Sequence, residues 1–268
     1  MSYESVDGLD ITLDDAVLRL TLDRPEKRNA VDDTIMVAMA EAIDAAGRDE
    51  AVRVLVLAGN GDHFCGGADI VARNAPGGER PRAGGIQRRV RSTAHRLLPL
   101  VVQTQTPIVC RVQGWAAGIG FQLAAAADVT VAAADARFWE PFTERGFTPD
   151  SGATWLLPRL VGIVRARELL LLGRDLDGTE AAAWGLIHRA VPASDLDDAV
   201  EEVVAQLASG PTVALGLTKW LLAAGQTETM EAQLQNEAFA LELSSRSEDF
   251  REGMKAFVDK RPPEFRGR

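Results

Sequence analysis

Apolar and polar residues alternate from Val17 to Asp23, the period of a strand with one buried face. A polar turn over residues 24–30 follows, with Pro25 inside it. From about Thr34 to Ala46 the apolar residues fall on one helical stripe, with Asp32 placed to cap the helix and Gly47 to stop it. Val52 to Ala58, rich in Val and Leu, predicts a second strand. Residues 72–85 gather Asn74, Pro76, Gly77, Gly78, Pro81, Gly84 and Gly85, which predicts a mobile surface loop. A helix from about Ile86 to Gln103 comes next despite Pro99, then a strand from Ile108 to Val112. A helix from Gly120 to Ala127 and a strand from Val129 to Ala132 complete this part. Beyond Ser151 the pattern is helical, over 151–160, 165–172, 179–185, 195–208, 211–224, 227–245 and 247–259. Those helices either complete one core or pack on neighbouring subunits.

Composition narrows the picture. A chain of 268 residues, 46% of them hydrophobic, can bury a full core as one large domain or as a domain with a small appendage. A net charge of −10 and a pI of about 4.9 disfavour a nucleic-acid binder but leave room for a local basic patch. Cys65 and Cys110 form no metal-ligand spacing or disulfide framework, which points to a reducing compartment. The first 15 residues are polar and acidic, and no stretch reaches the roughly 18 apolar residues of a membrane helix. A cytoplasmic protein with no membrane partner is expected.

The candidate chemistry lies in two small-residue turns. Phe64-Cys65-Gly66-Gly67-Ala68-Asp69-Ile70 and Gly114-Trp115-Ala116-Ala117-Gly118-Ile119-Gly120 each follow a strand-like run. Without bulky side chains, the backbone there can approach a ligand, and two converging N–H groups can hold a developing oxyanion. Tight strand-to-helix packing would use the same glycines. Asp150 is a carboxylate candidate, and before a helix it is also a favoured cap. Glu140 and Glu144, two residues either side of Phe142, are expected to point away from it into solvent. His63, His95 and His188 show no metal or triad spacing.

These turns, with Arg24-Pro25-Glu26-Lys27-Arg28-Asn29-Ala30, Pro149-Asp150-Ser151-Gly152 and Arg251-Glu252-Gly253-Met254-Lys255-Ala256-Phe257, resemble the crotonase, or enoyl-CoA hydratase/isomerase, superfamily over nearly the whole chain. The stretch from Phe142 to Gly162 looks most like the ring-1,2-epoxyphenylacetyl-CoA isomerases. The resemblance implies an α/β fold, a spiral of ββα units over 1–200 with a helical C-terminal trimerisation region over 201–268. It implies a homotrimer or dimer of trimers acting on an acyl-CoA thioester, with no tightly bound cofactor, coenzyme A entering as part of the substrate, and no metal.

Carried over by position, the N–H groups of Ala68 and Ile119 would form the oxyanion hole. Lys27, Arg28 and Ala30, with Gly66, Gly67, Asp69 and Ile70, would line the coenzyme A site. Gly118 belongs to the second turn, and Phe257 and Lys260 could reach a neighbour's coenzyme A. Ile119 stands where the family usually has Gly. Family hydratases hold a water between two glutamates; here those positions are Gln122 and Phe142. Asp150 matches the lone carboxylate of isomerase-type members, with Phe142 and Trp139 expected to keep the site dry; Trp115 and Trp139 could equally be core. The leading expectation is an acyl-CoA isomerase. A hydratase, an acyl-CoA hydrolase or dehalogenase, and a non-catalytic acyl-CoA- or RNA-binding scaffold are the alternatives.

Overall fold

The computed structural model describes residues 2–70 and 82–268; the predicted loop at 72–85 therefore lies mostly outside the described residues. Strands β1 (Leu9–Asp14), β2 (Val17–Leu22), β3 (Val54–Gly59), β4 (Ile108–Val112), β6 (Val129–Ala133) and β9 (Arg189–Val191) form one sheet in the order β1-β2-β3-β4-β6-β9. The first pair is antiparallel and the rest are parallel. Strands β5 (Trp115–Ala117), β7 (Arg137–Trp139) and β8 (Leu176–Asp177) form a second, smaller sheet. Cys65 bridges to Ala116 of β5, and Val31 bridges to Ala68. The first of these bridges carries the first small-residue turn onto the second sheet.

β3 and β4 are nearly continuous apolar runs because helices cover the parallel sheet, while β2 alternates, with Arg19 and Thr21 half-buried. Helix α1 (Asp33–Ala46) starts where predicted: the Asp32 carboxylate accepts from Ile35 N–H. Its stripe of Ile35, Met36, Met39 and Ile43 is buried. The single helix expected over 86–103 is two, α2 (Gly85–Ser92) and α3 (Ala94–Gln103), broken at Thr93 and not at Pro99. Helix α4 (Ile119–Ala126) is buried on all sides. Helix α5 (Ala153–Leu172) joins two predicted helices across a kink at Gly162. Then come α6 (Gly178–Ala183), α7 (Leu196–Ala208), α8 (Thr212–Ala224), α9 (Met230–Ser244) and α10 (Glu248–Asp259).

The boundary expected at 200/201 falls inside α7, whose Val200 and Val204 both belong to the main core. Packing on the sheet therefore continues to the end of α7. Helix α8 is tied to the core by Lys219, buried, whose Nζ reaches Asp128 at 2.6 Å and the carbonyls of Val101 and Thr106. Beyond it, α9 buries Ala240 alone and leaves Leu234, Phe239, Leu241 and Leu243 exposed. No helix among the described residues is long and apolar enough to cross a membrane.

Candidate active site

The two turns meet. A Cβ on Gly67 would stand 3.1 Å from the Ala117 carbonyl, and one on Gly118 would stand 4.0 Å from the Gly67 Cα and 4.0 Å from Phe142 Cζ. Gly118 adopts φ 53°, ψ −122°, a conformation open to glycine, and this sharp corner launches α4. The residue that follows the corner, Ile119, is the first of the helix, so its N–H has no partner in the helix. Ile119 is accommodated because the positive φ falls on Gly118.

Ala68 is arranged to the same end. In its bridge with Val31, the hydrogen bonds run from Val31 N–H to the Gly67 carbonyl and from Asp69 N–H to the Val31 carbonyl. Ala68 N–H is left facing the other way. Among the described residues neither N–H has an acceptor. Both residues line one narrow cavity of about 60 Å³, with Gly66, Gly67, Ile70, Gly118, Phe142 and Asp150. The positive end of the α4 dipole adds to the field there.

Asp150 does not cap α5. The helix begins three residues later, its cap is Gly152 with φ 92°, and no side chain caps it. The Asp150 carboxylate accepts instead from Ser151 Oγ at 2.8 Å, and its backbone carbonyl accepts from His95 Nε2 at 2.7 Å. Ser151 is buried and Asp150 is exposed in the single chain. Asp150, Ser151 and Ala94 also line a second cavity of about 420 Å³, walled by Leu98, Val102 and Trp155. The carboxylate thus stands where a narrow slot beside the N–H donors opens into a wider, mostly apolar chamber. Ser151 and His95 were not anticipated: His95 is distant in sequence, and Ser151 read as part of a helix start.

The basic turn lies against the first small-residue turn: the Arg28 carbonyl accepts from Gly66 N–H at 2.7 Å, and Ala30 N–H donates to the Lys27 carbonyl. Lys27 is half-exposed with its Nζ 3.9 Å from Asp69, and Arg28 is exposed. Asp69 is buried and takes Arg24 as well, so it holds the turn together. Asn29, part of the basic turn but given no role of its own from the sequence, is buried and ties the turn to the carbonyls of Asn60 and His63.

Several expectations are corrected. Trp139 does not line the cavity; its ring packs on Trp115 at 5.8 Å and its Nε1 donates to the Gly173 carbonyl. Phe142 does line it, braced edge-on by Phe147. In the single chain Asp150 is open to solvent. Gln122 is buried and turned from the cavity toward Glu140. Glu140, expected in solvent, is 1% exposed, because β7 ends at Trp139 and the chain turns inward at Glu140 and Pro141. Phe257 on α10 and Lys260 just beyond it are exposed, which leaves them free to meet a neighbouring subunit. Burial pushes the Cys65 thiol up to about 12 and Cys110 well above its ordinary range, so neither offers a thiolate. The described residues contain no cluster of His, Cys, Asp and Glu able to hold a metal.

The sequence model of the enoyl-CoA hydratase/isomerase family matches residues 12–268. The chain belongs to that family. It is 39% identical over 254 residues to a 1,2-epoxyphenylacetyl-CoA isomerase of Escherichia coli K12, covering 94% of this chain and 95% of that one. It is 33% identical over 271 residues to a carnitinyl-CoA dehydratase of Salmonella enteritidis, covering 98% and 99%. An enoyl-CoA hydratase/isomerase structure from Cupriavidus metallidurans CH34 superposes with a TM-score of 0.88 at 29% identity, covering 99% of this chain and 98% of that one. The family resemblance and the spiral α/β fold with a helical C-terminal region are thereby established. An acyl-CoA isomerase or hydratase activity comes with them, and the relatives carry the names of more than one reaction.

Proposed function

We propose that the protein is an acyl-CoA isomerase that moves a double bond, or rearranges an unsaturated or ring-derived acyl group, through an enolate. One observation carries the reading: among the described residues Asp150 is the single carboxylate lining the slot that holds the two unpartnered N–H groups, while Gln122 faces away and Phe142 fills the other hydratase position. Adding water needs a proton acceptor and a proton donor on the same water. Moving a double bond needs one carboxylate that takes a proton from one carbon and returns it two carbons away.

In this reading the thioester oxygen accepts from Ala68 and Ile119 N–H. The Asp150 carboxylate removes a proton from the acyl chain, and the electron pair delocalises onto that oxygen as a dienolate. Each aimed donor contributes about 3–4 kcal/mol to the charged state. The same Asp150 oxygen then returns the proton at the other end, so the product has the mass of the substrate. Ser151 Oγ fixes the carboxylate rotamer during both transfers. Lys27 and Arg28 would meet the coenzyme A phosphates, and the apolar chamber would take the acyl tail.

The test is incubation with 2-enoyl-, 3-enoyl- and aromatic ring-derived coenzyme A thioesters, with product masses and spectra read out. Products of unchanged mass with a moved double bond are expected. Products carrying one added water, or free acid and free coenzyme A, would assign the protein to hydration or hydrolysis instead.

A further inference from the structure

Behind the slot, and outside its lining, Gln122 and Glu140 form a closed polar pair. They are 0% and 1% exposed. Gln122 Nε2 lies 3.2 Å from each Glu140 oxygen. Gln122 Oε1 is buried too, and among the described residues it has no hydrogen-bond partner. An ionised carboxylate held there by one amide, with no cation beside it among the described residues, would carry a large uncompensated desolvation penalty. A neutral acid removes that penalty and supplies the O–H that Gln122 Oε1 lacks.

The surroundings agree. Burial pushes the Glu140 carboxyl well above the usual carboxylate range, and the field of Asp150 adds to the effect; the Gln122 hydrogen bond opposes it. Other charges on the packed elements are engaged elsewhere. Arg137 is paired with Asp175, Arg145 lies 5.7 Å over the Trp139 ring, Asp177 caps α6, and Glu144 is exposed.

We propose that Glu140 is protonated in the working enzyme and that, as a neutral acid–amide pair with Gln122, it is a positioning residue for the Ile119 oxyanion donor. The connection is short. Gln122 follows Ile119 by three residues, one turn along the same face of α4. Glu140 follows Trp139, whose carbonyl accepts from Gly118 N–H, and precedes Pro141 and Phe142 in the slot wall. The pair therefore fixes the first turn of α4 to the end of β7 at a second point. The positioning role rests on the isomerase reading above; the protonation does not.

The test compares full-length wild type, E140Q and E140L, with D150N as the reference for the proton shuttle. Denaturant unfolding is followed from about pH 5 to about pH 8. A folded-state pKa raised above the unfolded value of about 4.3 means that the native chain holds the extra proton, so stability falls as pH rises through this window. The folding constant of the wild type should fall relative to that of E140Q by about tenfold per pH unit. Parallel curves would show an ionised Glu140 and overturn the proposal.

In kinetics, E140L cannot pair with Gln122 and should lose about tenfold or more in kcat with KM nearly unchanged. E140Q rebuilds an amide–amide pair and should recover most of that loss. Wild-type kcat in E140L, or a loss in E140Q as deep as that in D150N, would overturn the positioning role. Should E140L not fold, the depth of loss in E140Q against D150N decides that role, and its pH comparison decides the protonation. If D150N turns over at the wild-type rate the isomerase reading fails, while the pH comparison still decides the state of Glu140.

Discussion

Asp150 is the residue on which the proposed chemistry turns, and its surroundings make a clean test. Its side chain caps no helix, so replacing it should leave the fold intact. Asp150→Asn keeps shape and an acceptor for Ser151 Oγ but removes the base. We expect isomerisation to fall about 10²–10⁴-fold, with an unchanged melting temperature. In D₂O the wild type should exchange substrate α- or γ-protons and the variant should not. An Asn variant with full turnover would overturn the shuttle. Gly118 tests the other half of the site. At φ 53° and ψ −122° a side chain is strained, and relief would move the adjoining Ile119 N–H. Gly118→Ala is expected to cost about 10²–10³ in kcat, with a much smaller change in KM. Steady-state kinetics that show the reverse split would remove Ile119 from the oxyanion hole.

At the scale of elements, an ion pair with a buried lysine helps hold α8 to the rest of the fold. Lys219 donates to Asp128 and to two carbonyls, while Asp128 Oδ2 also accepts from Ile108 N–H at the start of β4. Burial alone pulls the lysine below its ordinary range and pushes the aspartate above its own; their mutual attraction works against both shifts. Lys219→Met fills the volume but leaves the partly exposed Asp128 carboxylate and the carbonyls of Val101 and Thr106 without their lysine donor. We expect a loss of about 1–3 kcal/mol in denaturant unfolding, with little change in kcat below the transition. A loss under about 1 kcal/mol, the size of an exposed pair, would show that the pair is solvated in solution.

At the scale of the whole molecule, one chain leaves too much apolar surface uncovered. On α9 and α10, Leu234, Phe239, Phe257 and Val258 are exposed, the last two at 81% and 74%. Val164, Leu171 and Leu172 on α5 are exposed as well. Exposed apolar side chains in this number mark association. We expect light scattering to give a trimer or a multiple of one; a mass of one 28.8 kDa chain at micromolar concentration would refute this. The open position of Asp150 in the single chain fits the same expectation. For the reaction as a whole, crotonyl-CoA hydration should stay well below about 10 per second, an ordinary enzymatic rate. A higher rate would mean that a second proton donor reaches the substrate.

Local rules were enough for much of this. The period of two from Val17, the Asp32 cap, the Val-rich strands and the two glycine corners are set by residues within a few positions of one another, so the sequence alone determined β2, α1, β3, β4, α4 and the turns that carry Ala68 and Ile119. Strands β5, β7, β8 and β9 span three residues or fewer and have no period of their own; their partners, brought by tertiary packing, decide them. The same holds at the site. The chemical type of Asp150 was legible, but its freedom from a capping role depends on where α5 starts, and its hold by His95 crosses 55 residues. Glu140 shows the limit most clearly. A glutamate between Trp and Pro reads as solvated because charge is costly to bury. Only the fold sets it against Gln122, where the loss of water makes the protonated form the stable one.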